Sequence, residues 1–119
     1  MFDQLLTRVL NETPGAVSVT LMGFDGIAID TQESGAMATE AQASQIELAN
    51  IAKQLRGISE GMGTGDVHEV ALRTGGLTTV LRPLTEEYFV AVSMKPDGLV
   101  GKGRYLLRVI GPKLLEELV

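Results

Sequence analysis

At 119 residues the chain fits one domain, and a hydrophobic share of 45% against an aromatic share of 4% calls for an aliphatic core. With no Cys it can hold no disulfide framework, thiolate metal site or cysteine nucleophile, and a reducing, cytoplasmic setting suits it. A formal net charge of −5 argues against nucleic acid as the main partner, because neutralising phosphates needs a clustered basic surface.

The opening MFDQLLTRVLNETPGA lacks a basic region ahead of an apolar run, so it does not read as a signal peptide. Phe2, Leu5, Leu6, Val9 and Leu10 fall at helical spacing instead, and Pro14-Gly15 stops that helix. In AVSVTLM (16–22), Val17, Val19 and Leu21 alternate with Ser18 and Thr20, the pattern of a strand. Gly23-Phe24-Asp25-Gly26 supplies a turn, and GIAIDT (26–31) returns as a second strand with Ile27 and Ile29 on one face. Asp25 reads as a turn former rather than a catalytic acid.

After the polar loop QESGAMA, Thr39 with Gln42 forms a capping-box pattern that opens the longest helix, Thr39–Met62. Ile46 or Leu48, Ile51, Ala52, Leu55, Ile58 and Met62 make its apolar stripe. Glu40, Gln42, Glu47, Asn50, Lys53, Gln54 and Arg56 are left toward solvent or a partner. GMGTG (61–65) ends the helix, since glycine disfavours helical backbone by about 1 kcal/mol.

DVHEVALRT, GGLTTVLRPL and EEYFVAVSM read as three consecutive strands, joined by a tight Gly75-Gly76 turn and a longer PLTEE turn. Pro83 belongs at a strand end, where its missing N–H does least harm. Leu99 to Val119 is helical by pattern, through Val100, Leu106 or Leu107, Val109, Ile110, Leu114 and Leu118, with a kink or break expected at Gly111-Pro112. Between Lys95 and Lys113, the cations Lys95, Lys102, Arg104, Arg108 and Lys113 face Asp97 alone and read as a solvated basic helix face, not an RNA or lipid site. The order α-β-β-α-β-β-β-α predicts one α/β (α+β) domain over 1–119, a five-stranded antiparallel sheet flanked by helices on both faces.

The ingredients of catalysis are sparse. His68 is the only histidine, so neither a triad nor a zinc-histidine site assembles from the usual parts, and a structural or exposed role is expected for it. GMGTG follows a helix and matches no phosphate-loop pattern; in GLVGKGR, Arg104 stands where a magnesium-binding hydroxyl is needed. No catalytic, cofactor-binding or metal-ligating residue is assigned. No apolar stretch is long enough for a membrane span, so no membrane insertion is expected.

In PGAVSVTLMGFDGIAID and GLVGKGRYLLRVIGPKLLEEL, taken with the element order, the chain resembles the roadblock/dynein light-chain domain family, a profilin-like fold. The first segment is similar to the family's leading hairpin and the second to its C-terminal helix, which often opens Gly-Lys-x-Arg-Tyr in bacterial members. The resemblance implies a homodimer in which the third strands pair across a two-fold axis and the long middle helices lie side by side. That assigns the dimer edge to Asp66–Thr74, through Val67, His68, Glu69, Val70, Ala71 and Leu72, with Ile58 and Met62 from the helix. It assigns client binding to Gln42, Glu47, Asn50, Lys53, Gln54 and Arg56. Bacterial MglB-like members regulate Ras-like small GTPases in motility and cell polarity, which implies a non-catalytic GTPase regulator here. A structural adaptor is the alternative. A small-molecule sensor is the third reading, disfavoured by the short chain and few aromatics. The middle-helix Arg56 is the position for an arginine finger, but a plain surface arginine is expected.

Overall fold

The computed structural model describes residues 2–118. They form α1 (Phe2–Glu12), β1 (Ala16–Gly23), β2 (Ala28–Glu33), α2 (Ala38–Met62), β3 (Val70–Arg73), β4 (Thr78–Pro83), β5 (Tyr88–Met94) and α3 (Val100–Leu118). The strands build one sheet in the order β2-β1-β5-β4-β3, antiparallel at every pairing. Strands joined by short turns thus lie side by side, and β5 returns between β1 and β4 to join the two hairpin groups. The expected α-β-β-α-β-β-β-α order and five-stranded antiparallel sheet are both present.

Helices cover both faces of the sheet. On one face Leu6 and Val9 of α1 and Leu106, Leu107, Ile110 and Leu114 of α3 bury Val19, Leu21, Val80, Val90 and Val92. On the other, Leu48, Ala49 and Ala52 of α2 close over Met22, Leu81, Phe89 and Ala91. Central strands β1 and β5 are therefore buried on both sides, which is why β1 is covered along nearly its whole length.

Several local readings change. β2 begins at Ala28 and runs through Glu33, so Gln32 and Glu33 leave the expected loop, and Ile27 lies in the turn. Ile27 and Ile29 are both exposed. Asp25 does form the turn: its Oδ1 accepts from the Ile27 N–H at 3.0 Å. The helix α2 starts at Ala38, capped at Met37 with no side-chain hydrogen bond, which puts Thr39 inside the helix and leaves the Thr39–Gln42 pattern unused. Helix α3 runs unbroken through Pro112. Part of what drives a residue before proline out of the helical region is a clash of the ring with its Cβ, and Gly111 has none.

The third strand is shorter than the sequence pattern, four residues rather than Asp66–Thr74. Val70 pairs with Leu81, so continuing the ladder outward would set His68 opposite Pro83. Proline has no N–H to offer that ladder. Residues 64–69 accordingly run without regular structure from the end of α2 to β3.

Candidate functional site

β3 is one edge of the sheet, and its outer backbone groups face no other strand among the described residues. An edge of this kind is a template for another strand. Leu72, at 44% exposure, points to the α2 side with Val70, which packs against the cluster under α2. Alongside runs a stripe on α2 itself: Ile51, Leu55, Ile58 and Met62, at steps of four, three and four, a single helical flank. Three of these are openly exposed, Ile51 at 44%, Ile58 at 54% and Met62 at 64%. The flank is oriented by Ser44, seven residues before Ile51, whose hydroxyl is 2.8 Å from that of Thr79. Thr79 pairs with Leu72 across β3 and β4. The apolar flank of α2 and the free edge thus form one surface.

The opposite flank of α2 is tied down by polar contacts. The Lys53 ammonium donates to the Phe24 carbonyl at 3.2 Å. The Arg56 guanidinium lies over the Phe24 ring at 4.6 Å from its centroid and donates to the Glu86 carbonyl at 3.3 Å. Arg56 is therefore engaged in holding α2 against the β1–β2 and β4–β5 turns. Gln42, Glu47, Asn50 and Gln54 are exposed along the helix.

The sequence-assigned edge residues separate into two groups. Val70, Ala71 and Leu72 belong to the β3 ladder, and Ile58 and Met62 share the apolar flank with it. Val67, His68 and Glu69 lie in the irregular approach to the strand. The Glu69 carboxylate turns to α3, where it takes both arms of Arg104, at 2.9 Å from Nε and 2.8 Å from the terminal nitrogen. That partnership holds the Arg104 guanidinium above its ordinary pKa. The helical pattern puts Ile51 and Leu55 in the buried stripe, yet they join the flank that carries the exposed Ile58 and Met62. The covered stripe is Ala41, Gln45, Leu48, Ala49 and Ala52. Its small residues and its glutamine were the available signal, since a helix lying close on a sheet favours small side chains.

Gln45 sits at the centre of a buried polar patch under α2. Its amide nitrogen donates to Ser93 at 3.1 Å and Ser18 at 3.4 Å, and Ser93 is 2.8 Å from Thr79. A cleft of about 460 Å³ opens between the end of α2, the β4–β5 turn and α3, lined by Arg56, Glu60, Asp66, His68, Glu86 and Pro112 among others. Charges of both signs face it. No group of three or more His, Cys, Asp or Glu that could hold a metal ion occurs among the described residues, and none of the described helices is long and apolar enough to cross a membrane.

The chain matches no family model and no curated protein. Among solved structures it is similar to MglC from Myxococcus xanthus, 38% identical, covering 98% of this chain and 98% of that one, with a TM-score of 0.70. A Roadblock/LC7 domain from Streptomyces avermitilis shares the fold at 16% identity, covering 95% of this chain and 97% of that one, with a TM-score of 0.73. The gliding protein MglB from Thermus thermophilus shares it at 15% identity, covering 96% of this chain and 85% of that one, with a TM-score of 0.82.

Proposed function

The chain belongs to the roadblock domain family, with its profilin-like fold and MglB-like members, and from that premise we propose that it is a homodimeric, non-catalytic regulator of a Ras-like small GTPase in the cytoplasm. The observation that carries the dimer is the joint surface of free β3 edge and apolar α2 flank. Pairing β3 with β3 of a second copy satisfies the edge backbone, and the same two-fold axis brings the two sets of Ile51, Leu55, Ile58 and Met62 together. The paired α2 helices then present Gln42, Glu47, Asn50 and Gln54 as a polar platform for the client.

Regulation of this kind works by fixing mobile switch loops in one conformation. An arginine finger would supply about 10³–10⁵ in rate, but Arg56 is committed to Phe24 and Glu86, which supports loop fixation rather than a donated guanidinium. The same commitment leaves room for a second reading, an adaptor that tethers a client without altering its turnover.

Sedimentation of the pure protein is expected to give twice the chain mass. Leu72→Glu and Ile58→Lys are expected to give a folded monomer, because both side chains are exposed in the single chain and leave its core intact. A wild type that is monomeric at tens of micromolar removes the platform. For the client, a Ras-like GTPase of the same organism loaded with a GTP analogue is expected to co-elute with the dimer and its turnover to change. Binding that ignores the nucleotide, with turnover unchanged, selects the adaptor; no binding in either state overturns the regulator.

A further inference from the structure

The face of the sheet turned away from α2 carries a second cleft. We propose that the cleft between α3 and the β3–β4 edge docks an acidic segment of a partner protein, on the side of the domain opposite the α2 platform. The cleft measures about 460 Å³ and is lined by His68, Glu69, Arg82, Arg104, Tyr105 and Arg108, with Gly101 at its rim. Three arginines thus face one carboxylate. From Gly98 to Leu115 the chain has Lys102, Arg104, Arg108 and Lys113 and no acidic residue, in a protein whose overall charge is −5. Positive charge is concentrated here against the balance of the molecule, which favours an anionic partner.

The chemistry of the cleft names its occupant. Arg104 already holds a carboxylate in the two-armed geometry that guanidinium and carboxylate share, through Glu69. Glu69 is an internal stand-in for the side chain that would arrive from outside. Tyr105, half exposed, lies between two further cations, with Lys102 Nζ at 5.8 Å and the Arg108 guanidinium at 6.0 Å from the ring centroid. Its ring offers an apolar wall beside the charged one, which suits a peptide that carries both carboxylates and apolar side chains.

Two other polyanions fit less well. A nucleic-acid strand runs well past a cleft of this size and onto a surface of its own sign, and screening limits favourable contact to within about 8–10 Å of the cations. A membrane would need a broad basic plane with apolar anchors, and the one large exposed apolar side chain lining this cleft is Tyr105. A short acidic segment touches only the favourable patch.

The test is fluorescence anisotropy of a fluorescein-labelled peptide of alternating Glu and Leu, titrated with the full chain. Binding is expected, weakening as salt is raised. Arg104→Ala with Arg108→Ala is expected to lose about tenfold or more in affinity, equivalent to about 1.4 kcal/mol. Glu69→Gln, which vacates Arg104 without removing a cation, is expected to bind the peptide several-fold tighter. Arg8→Ala, which removes one cation on α1 away from the cleft, is expected to leave the affinity unchanged. Absence of binding, or a Glu69→Gln affinity no different from wild type, overturns the proposal; the second readout holds even if the double variant folds poorly. So does tighter, Arg104-dependent binding to a single-stranded oligonucleotide or to phosphatidylserine vesicles, which would reassign the surface to nucleic acid or membrane. Each arm is read per chain and is independent of whether the α2 surface forms a dimer.

Discussion

Gly15 shows how far a single residue can be constrained by a part of the chain remote in sequence. Its φ of +86° is a conformation that side chains rarely adopt, and a Cβ there would stand 2.7 Å from the Gly98 Cα. The two loops are laced together by the backbone: Lys95 N–H donates to Gly15 C=O at 2.9 Å and Leu99 N–H to Pro14 C=O at 3.1 Å. Gly15→Ala is therefore expected to cost about 2 kcal/mol or more, the left-handed penalty added to a backbone clash, as read by urea denaturation. Arg56→Ala presents the contrasting case. It removes a part-exposed cation–π contact and one carbonyl bond, so a loss of about 1 kcal/mol is expected in the same assay. If GTP turnover by a bound client falls more than a few-fold in Arg56→Ala at equal occupancy, Arg56 acts on the nucleotide after all. Pro14-Gly15 is legible in the sequence as a helix stop; its embrace of Gly98 is not, because nothing local announces which loop will come near.

Among the elements, α2 was the easiest to find and the hardest to orient. Helical periodicity reports that apolar residues share a face, and α2 has two such faces. The one that meets the sheet is small and partly polar, with Ala41, Gln45, Ala49 and Ala52. The one bearing Ile51, Ile58 and Met62 is the more hydrophobic and is exposed in the single chain. A sequence reading assigns the greasier stripe to the core, and in a monomer that is the correct bet. Here it fails in a way that itself points to a partner. The extent of β3 departs from the sequence pattern for another reason: residues 66–69 alternate like a strand, but the decision lies across the ladder at Pro83. Gly57 offers an element-scale test of α2. It is exposed inside the helix, and an added Cβ would meet nothing within 4 Å beyond the helix's own local backbone, so Gly57→Ala is expected to raise stability by about 0.5–1 kcal/mol. A rise in thermal midpoint with loss of client binding would further place Gly57 where the client approaches α2 closely.

At the scale of the whole molecule, the sheet separates two surfaces of different physics. On the α2 side the free edge is bordered by Ile51, Ile58, Met62 and Leu72, all exposed and none charged. On the α3 side the same edge is bordered by Arg82, Arg104 and Arg108. Association through the first surface rests on apolar burial and strand pairing, which salt does not screen. Association through the second rests on charge and weakens with salt. The self-association constant from sedimentation is therefore expected to hold steady or strengthen slightly as salt rises toward 1 M, where the Debye length falls to about 3 Å. If the dimer instead dissociates with rising salt, the contact between copies runs through the arginine side, and the α2 flank is free for another partner. The exposed Ile58 separates these outcomes a second way. Ile58→Lys is expected to yield monomer at every salt concentration if α2 forms the interface, and to leave the dimer untouched if α3 does.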